Sequence, residues 1–483
     1  MNEKSVESAA AKKPPKLTRK VKIGWIVAVV LFVVVMLIPT GELFTAEIRL
    51  SIAVTAAIMC GFAFEILPNV VLGLMLITIY IVIGLADAET ALSGFTNENV
   101  WASAAAMLLV GVMDQTRVLK KACYGCMLKL GGSLRAIVMA MAVISIALGA
   151  VIGGANVAAP MIVIAYALCV ALGLEPGSNE AALLMISSYV AANAPTAYFY
   201  SSLQAMGYSA VQNVVTDAEP LTYATYFVQN WPMIIFGFIT ILVCILMFPV
   251  GGKGKKEKEQ VKAASKQYLS GELNKVGKMQ GRDYVMIVIL IAVFVGLLTM
   301  NKTGLSIAWI LMLGALVCYL PFIRIGNANA LKSVNWSVFI FMGATMGIGA
   351  VFSSVGTGSF LAGMVEPLLT GVGETARMFF VWLIATLANF FLTPLASINT
   401  LLPSIVEITE SMGMATTPVF YMFMQGVTNT CVLPYEVAMP MMMYSYGMVN
   451  MKQFVKTMGL ITILNGVYMV AVMVPYWHLI GLF

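Results

Sequence analysis

Residues 153–160 read Gly-Gly-Ala-Asn-Val-Ala-Ala-Pro, and residues 396–403 read Ala-Ser-Ile-Asn-Thr-Leu-Leu-Pro. Each segment has an asparagine four residues before a proline, and each lies well inside a long apolar stretch, residues 135–174 and residues 376–410. Polar side chains are costly in apolar surroundings, and a proline inside a helix removes a backbone hydrogen bond. We therefore predict that both stretches turn at these segments and form helical hairpins.

The composition places these stretches in a membrane. Of the 483 residues, 60% are hydrophobic and 10% are charged, whereas a soluble globular protein has about 25% charged residues. This difference excludes a water-soluble enzyme or binding module. A helix that crosses a bilayer needs about 20 apolar residues, so the chain can supply about a dozen spans. We predict an all-α polytopic membrane protein.

The placement of the charges predicts the orientation. The net charge is +6, and basic residues are concentrated in the first 22 residues and in residues 253–282. A basic tract can bind nucleic acid, but beside apolar spans it more often marks a cytosolic loop under the positive-inside rule. The loops 86–100, 208–221 and 357–375 contain no Lys or Arg. We predict a cytosolic N-terminus, a C-terminus outside the cell membrane, and no nucleic-acid partner.

The two halves of the chain contain the same parts in the same order. Each half has several spans, an interfacial segment, a hairpin stretch and a span broken by proline, and charge parity gives the halves opposite starting orientations. Inverted repeats of this kind are typical of secondary transporters, whose binding site lies at the repeat interface near the membrane midplane. Parity does not separate a re-entrant hairpin from two full spans, so that alternative stays open.

This reading gives about 11 transmembrane helices plus two re-entrant hairpins. The predicted divisions are a basic cytosolic N-terminus (1–22), scaffold helices of the first repeat (23–116), an interfacial helix with the first hairpin and first broken helix (117–221), a transmembrane helix (222–250), a basic cytosolic linker (251–283), scaffold helices of the second repeat (284–356), an interfacial helix with the second hairpin and second broken helix (357–448), and a last transmembrane helix (449–483).

A proline breaks the span that follows each hairpin. The first broken segment reads Ala-Asn-Ala-Pro-Thr-Ala-Tyr over residues 192–198, and the second reads Thr-Asn-Thr-Cys-Val-Leu-Pro-Tyr-Glu over residues 428–436. Freed backbone groups are tolerated at membrane depth only where protein or a watery cavity satisfies them. Helix N-termini stabilise an anion without a buried cation, and carbonyl and asparagine oxygens coordinate sodium. The tips and breaks therefore predict a site for a small anion, with sodium as a possible second ligand.

The remaining ionisable residues do not favour catalysis. His478 is the only histidine, and the one close cysteine pair, Cys123 and Cys126, follows basic residues on a predicted cytosolic segment. That compartment is reducing, so neither a disulfide nor a zinc site is indicated. Glu436 follows the second break, and an ionisable group at that depth is a functional candidate by default. A structural position on the wall of a water-filled cavity is the alternative. We predict no enzymatic activity and no organic cofactor.

Three further segments carry a family resemblance. Residues 95–101 read Phe-Thr-Asn-Glu-Asn-Val-Trp, residues 334–336 read Val-Asn-Trp, and Tyr-Ser-Tyr-Gly at 444–447 is followed by Lys-Gln-Phe at 452–454. With the hairpin tips, they make most of residues 40–483 resemble the divalent anion/sodium symporter family of dicarboxylate, citrate and sulfate carriers. The resemblance implies a scaffold domain, a transport domain of two hairpins and two broken helices that moves as an elevator, and a homodimer.

The resemblance also implies the site residues. The family has Ser-Asn-Thr at each tip, and here the tips read Ala155-Asn156-Val157 and Ile398-Asn399-Thr400, so that three hydroxyls are missing. The implied substrate contacts are Asn156, Val157, Asn399, Thr400, Pro195, Thr196 and Pro434. The implied cation contacts are Gly153, Asn156, Ala194, Ser397, Asn399, Thr430 and Glu436. Both glycines of the family's cation loops are lost, so sodium symport, proton coupling and exchange all stay open. We hypothesise that Glu436, in place of one glycine, supplies an ion ligand or takes a proton.

The resulting functional prediction is a secondary active transporter of small organic anions, di- or tricarboxylates, that works by an elevator mechanism. A second carrier hypothesis is a less anionic or inorganic substrate such as sulfate, with Tyr198, Tyr200 and Tyr435 lining the pocket. An ion channel is the alternative from another class. A channel would need a continuous polar lining, whereas the polar residues here concentrate at two tips and two breaks.

Overall fold

The structure is a computed structural model of the whole chain. It describes residues 19–483 except 65, 216–217, 251–254, 333, 335, 359, 361–362, 364–366, 368, 391–393 and 435. Most of the predicted cytosolic N-terminus, Asn335 of the family landmark, and Tyr435 therefore lie outside the described residues. The described part is helical and contains no strand.

The described part of the first half of the chain consists of a succession of helices. They are α1 (Arg19–Leu37), α2 (Ala46–Phe64), α3 (Asn69–Val82), α4 (Ala88–Thr96), α5 (Glu98–Met113), α6 (Val118–Lys129), α7 (Leu134–Ile152), α8 (Gly154–Ala171), α9 (Asn179–Asn193), a 3₁₀ turn (Ala194–Ala197), α10 (Ser202–Gln212), α11 (Tyr223–Asn230) and α12 (Met233–Met247).

The second half begins with the linker helix and has a similar series. Its helices are α13 (Lys255–Val276), α14 (Gly281–Leu298), α15 (Met300–Thr303), α16 (Ile307–Val317), α17 (Ala328–Lys332), α18 (Trp336–Val355), α19 (Glu374–Ala388), α20 (Pro394–Thr400), α21 (Leu402–Ser411), α22 (Thr416–Thr428), α23 (Ala438–Ser445), α24 (Met451–Tyr468), a π-helical turn (Met469–Met473) and α25 (Val474–Leu479).

Several of these helices are compatible with a polytopic membrane protein. Among the described residues, Leu134–Ile152, Gly281–Leu298 and Met451–Leu479 are long and apolar enough to cross a bilayer. Two bent pairs also qualify if each is one span: α4–α5 with α6, bent by 72°, and α11 with α12, bent by 58°. The predicted all-helical class is confirmed. The count of about 11 spans and the predicted divisions of the chain stay predictions.

The first hairpin turns at a glycine. Gly153 has φ +78°, and it ends α7 and precedes α8. This left-handed conformation favours glycine, which has no Cβ to clash with the carbonyl. Both helices pack against α9. The turn thus lies three residues before Asn156, and Pro160 lies inside α8. Because α7 has 19 residues, its length does not distinguish a re-entrant helix from a full span.

The second hairpin has a more interrupted return. The ten-residue α21 begins after Leu401, which separates it from the seven-residue α20. Helices α19, α20 and α21 all pack against α22, as α7 and α8 pack against α9. Each predicted hairpin therefore rests on the helix that follows it in the chain.

Helices α4 and α18, one from each half of the chain, cross at glycine residues. A Cβ on Gly94 of α4 would lie 2.0 Å from the carbonyl oxygen of Gly343 in α18, and a Cβ on Gly347 would lie 2.5 Å from the carbonyl oxygen of Ala91. Small residues allow helix backbones to approach this closely. Helices α2, α3 and α18 bury an apolar cluster of their own around Leu76.

The predicted basic linker is mostly helical and packs on α6, the predicted interfacial helix. Helix α13 contacts α6, and Leu269 is fully buried. Asp283, at the start of α14, accepts a hydrogen bond from the backbone N–H of Arg117 at 2.9 Å and another from the N–H of Gln280 at 2.7 Å. The Asp283 side chain is 3% exposed. This carboxylate therefore connects the start of α14 to the junction of α5 and α6.

Candidate functional site

The two broken segments meet each other. The Asn193 Nδ2 group donates a hydrogen bond to the Thr428 carbonyl at 2.9 Å and another to Asn429 Oδ1 at 3.3 Å. The Thr196 hydroxyl donates to the same Asn429 oxygen at 3.2 Å. Residues that are more than 230 positions apart in the chain thus form one polar junction.

A buried glutamine completes this junction. Gln425, which is 1% exposed, donates from Nε2 to the Ala197 carbonyl at 3.1 Å and accepts from Asn429 Nδ2 at 3.0 Å. The carbonyls of Ala197 and Thr428 stand at helix breaks, and side-chain amides satisfy both of them. This arrangement meets the requirement that broken backbone at membrane depth be satisfied by protein.

The first hairpin tip lies directly against the first broken segment. A Cβ on Gly149 would lie 2.5 Å from Pro195 Cβ, and a Cβ on Gly154 would lie 3.0 Å from the Thr196 nitrogen. Glycine at both positions lets the two backbones touch. Asn156 is half-buried, and its Nδ2 donates to the Ile152 carbonyl at 2.6 Å. The structure therefore brings together the predicted first-half residues Gly153, Asn156, Ala194, Pro195 and Thr196.

The other predicted residue of this tip has different surroundings. Val157 is 1% exposed and belongs to the main apolar core. Its hydrophobic side chain packs where the family has a hydroxyl, so it offers no polar group to a substrate. Its assignment as a substrate contact stays untested.

The second tip faces α18 and a large cavity. Asn399 is 2% exposed, and its Nδ2 donates to the hydroxyl of Thr345 on α18 at 3.3 Å. Asn399 also lines a cavity of about 400 Å³ between α4, α10, α18 and the second tip. The polar side chains that line this cavity are Ser93, Thr96, Asn97, Asn213 and Asn399. All five are neutral.

Three of the buried side-chain atoms that have no hydrogen-bond partner among the described residues are oxygens of the second hairpin. They are Asn389 Oδ1, Ser397 Oγ and Asn399 Oδ1. Such atoms are rare in native proteins, and each needs an explanation such as a bound ion or water. Thr400, the other predicted contact of this tip, is also buried at 6% exposed.

Proline frees a backbone oxygen at each tip asparagine. Pro160 and Pro403 have no N–H, so neither can donate to the carbonyl four residues earlier in the chain. Those carbonyls belong to Asn156 and Asn399. A Cβ on Gly349 of α18 would lie 3.1 Å from the Asn399 carbonyl oxygen. The repeated Asn-x-x-x-Pro pattern therefore releases an acceptor from each tip asparagine.

The second broken segment is organised by Asn389 and Glu436. The Asn389 side-chain amide donates to the Val427 carbonyl at 2.9 Å, while the Thr430 hydroxyl donates to the Gly426 carbonyl. The Glu436 carboxylate is 4% exposed and accepts from the backbone N–H groups of Val432 at 3.0 Å and Leu433 at 2.8 Å. Pro434 lies buried within this turn.

A family profile described as the sodium:sulfate symporter transmembrane region matches residues 19–483. The chain belongs to this family. The resemblance predicted from the tips and landmarks is thereby confirmed, and no curated protein sequence matches the chain. Members of the sodium:sulfate symporter family are transporters, so this protein is a multi-pass membrane protein and a secondary anion transporter.

In this member of the sodium:sulfate symporter family, each tip asparagine has its own hydrogen-bond partner, the Ile152 carbonyl for Asn156 and the Thr345 hydroxyl for Asn399. No hydrogen bond between Asn156 and Asn399 occurs among the described residues. Helix α10 contacts both tips, because Ser201 at its N-cap lies beside Gly153 and its Gly207 lies beside Ile398. The assignment of both asparagines to one substrate stays a prediction.

Several polar residues near these sites were not singled out as contacts. Thr345 and Asn213 reach Asn399 or its cavity, and Gln425 joins the two breaks. Their contacts join distant parts of the chain, so no local pattern marks them. A polar residue in an otherwise apolar helix, such as Gln425 in α22, is the one signal that could have drawn attention to it.

Proposed function

We propose that this protein carries a small organic anion, a di- or tricarboxylate, and binds it in the cavity at Asn399. The observation that supports this proposal is the cavity itself, which has a volume of about 400 Å³ and a lining of small and apolar residues with five neutral polar side chains among them. Pockets for small ligands commonly have volumes of about 300–1,000 Å³. Side-chain amides and hydroxyls can donate hydrogen bonds to carboxylate oxygens without a buried counter-charge.

Buried oxygens without a described hydrogen-bond partner at the second hairpin support the proposal that transport is coupled to sodium. A hard cation is bound by carbonyl, amide and hydroxyl oxygens. Asn389 Oδ1, Ser397 Oγ and Asn399 Oδ1 are buried oxygens of this type with no hydrogen-bond partner among the described residues. Ser397 and Asn399 would hold the ion beside the cavity, and its positive charge would attract the anionic substrate.

An elevator mechanism is consistent with the position of the cavity. The cavity lies between α4 and α18, which are scaffold helices in the predicted division, and the second tip with α10, which belong to the predicted transport domain. A substrate there would be enclosed by both groups of helices. Movement of the hairpins against α4 and α18 would change the side from which the cavity is reached. The homodimer is proposed on the family resemblance alone.

Sulfate is the second candidate substrate. The matching family is described by sodium:sulfate symport, and neutral amides can bind a sulfate as well as a carboxylate. Counterflow of radiolabelled succinate, citrate and sulfate in proteoliposomes tests both candidates. Saturable counterflow of succinate or citrate that sulfate does not compete away supports the carboxylate proposal, whereas sulfate counterflow alone overturns it. A flux that does not saturate would favour a channel.

A matched pair of variants locates the site. Asn399→Ala removes a buried amide from a residue that lines the cavity, and Asn274→Ala removes an exposed amide on α13. Weaker counterflow at low substrate concentration in the first variant, with normal counterflow in the second, supports binding at the cavity. Equal counterflow in both variants would place the substrate elsewhere.

A further inference from the structure

The loop of the second broken segment folds around its own acidic side chain. Between α22 and α23, the two carboxylate oxygens of Glu436 accept hydrogen bonds from the consecutive N–H groups of Val432 and Leu433, at 3.0 and 2.8 Å. Glu436 is 4% exposed. Two consecutive backbone amides therefore hold a buried carboxylate by one hydrogen bond to each of its oxygens.

Consecutive backbone N–H groups that converge on one point form an anion-binding concavity. A buried carboxylate needs such donors, because an ionised group without partners is strongly disfavoured in apolar surroundings. Among the described residues, no Lys, Arg or His forms an ion pair with Glu436. Among the described residues, the N–H groups of Val432 and Leu433 are the donors that hydrogen-bond to the Glu436 carboxyl group.

The first broken segment has no counterpart to this arrangement. Its residues 192–198 contain no acidic side chain, and its polar contacts run to Asn429 and Gln425 across the junction. The two breaks are therefore chemically unequal. One of them satisfies its amides with a carboxylate that the protein itself supplies.

We propose that Glu436 is a built-in carboxylate that occupies the amide pair of the second broken segment and thereby excludes a free carboxylate from it. The part of this inference that concerns specificity rests on the proposed function. With this pair occupied, the amides of Val432 and Leu433 are not available to the transported anion. The neutral polar side chains that line the cavity at Asn399 then recognise the transported anion. Glu436 is a specificity-determining residue in this sense.

The proposal predicts that removal of the side chain creates a site for a small free carboxylate. Glu436→Ala leaves a space with two unpaired N–H groups, which acetate can fill. Glu436→Gln fills the same space with a neutral side chain of the same shape, so acetate has no room. The probe is sodium acetate added to purified full-length protein in detergent, with sodium chloride at the same ionic strength as the control.

Hydrogen exchange of the peptide that covers residues 430–437 reports directly on these amides. In the wild-type protein, Val432 and Leu433 should be protected, and neither salt should alter them. Their exchange should accelerate by roughly tenfold or more in Glu436→Ala, because hydrogen bonds to a charged acceptor contribute about 1.5–3 kcal/mol each. Acetate, but not chloride, should restore the protection and raise the Tm of that variant. Glu436→Gln should not respond to acetate.

Unprotected amides at Val432 and Leu433 in the wild-type protein would overturn the proposal without any variant. A Glu436→Ala protein that exchanges like the wild type, or that responds equally to acetate and chloride, would also overturn it. These readouts do not depend on transport. Failure of the carboxylate transport proposal would therefore leave them unchanged, and the two failures can be told apart.

Discussion

The side-chain amide of Asn193 donates a hydrogen bond to Asn429 Oδ1 at 3.3 Å and so joins the broken helix of one half of the chain to that of the other. Each asparagine stands where its helix ends, at the last residue of α9 and just after α22. The breaks therefore support each other, and neither half can complete its own helix terminus alone.

This junction predicts measurable coupling between the two asparagines. Asn193→Ala leaves the Thr428 carbonyl and Asn429 Oδ1 short of a donor, and it should lower the free energy of unfolding by about 1–3 kcal/mol. In a double-mutant cycle with Asn429→Ala, the two effects should be non-additive by at least about 0.5 kcal/mol. Thermal or denaturant unfolding in detergent measures both quantities, with Asn274→Ala as the exposed control. Simple additivity of the two variants would contradict the finding.

Asn399→Ala should weaken substrate binding more than it weakens folding. Its Oδ1 has no partner among the described residues, and its Nδ2 has one neutral partner in Thr345. If the amide binds a substrate carboxylate, the KM for counterflow should rise by roughly tenfold, since hydrogen bonds to charged groups contribute about 1.5–3 kcal/mol. An unchanged KM with a lowered Tm would show that Asn399 is a structural residue.

The Ser397→Ala variant tests whether Ser397 coordinates sodium or only packs within the hairpin. The Ser397 hydroxyl is buried without a partner among the described residues, so its removal relieves an unsatisfied polar group and should leave the sodium-free Tm unchanged or higher. The sodium concentration for half-maximal uptake should nevertheless rise if this oxygen coordinates sodium. Titration of uptake against sodium at constant ionic strength tests this. Identical sodium dependence in both proteins would remove Ser397 from the cation site.

The glycine crossing of α4 and α18 should not tolerate a methyl group. Gly94→Ala would place a Cβ 2.0 Å from the Gly343 carbonyl oxygen, which forces the helices apart and should cost about 1–3 kcal/mol. The matched control is Gly271→Ala in α13, where no atom lies within 4 Å of the new Cβ. That variant should gain up to about 1 kcal/mol from helix propensity. Thermal unfolding of both variants should show shifts of opposite sign.

Asp283→Asn should destabilise the protein far more than loss of a surface ion pair does. The buried Asp283 carboxylate accepts from the backbone of Arg117 and Gln280, and its neutral substitute should cost about 1–3 kcal/mol. Glu272→Gln is the control, because Lys275 in the Glu272–Lys275 pair is 76% exposed. That variant should unfold at the wild-type temperature. Equal unfolding temperatures for all three proteins would refute a structural role for Asp283.

The helices, hairpins and broken spans could be predicted from the sequence because each depends on a local sequence pattern. Apolar runs, proline breaks and the paired Asn-x-x-x-Pro segments predicted helices, hairpins and broken spans, and the structure has a helix break at or beside each predicted one. The sequence predicts the first turn within residues 153–160, and the structure has it at Gly153, because the sequence does not show which glycine of a pair takes a positive φ.

The site was less predictable because it depends on contacts between distant segments. The approach of Asn399 to Thr345 and the bond from Gln425 to Ala197 span 54 and 228 residues, and no spacing rule connects them. Glu436 was recognised as unusual because it follows the second break and stands in place of a glycine of the family. Its engagement with the loop backbone required the three-dimensional path of the chain.

Helix α10 has a mechanical consequence for any conformational cycle. It is eleven residues long. Its N-cap contacts the first tip, and its middle contacts the second tip. A rigid rod with two such points of support transmits displacement from one tip to the other. Binding of a solute that displaces Ile398 would therefore also displace Gly153. The two hairpins should thus move together when the site is occupied.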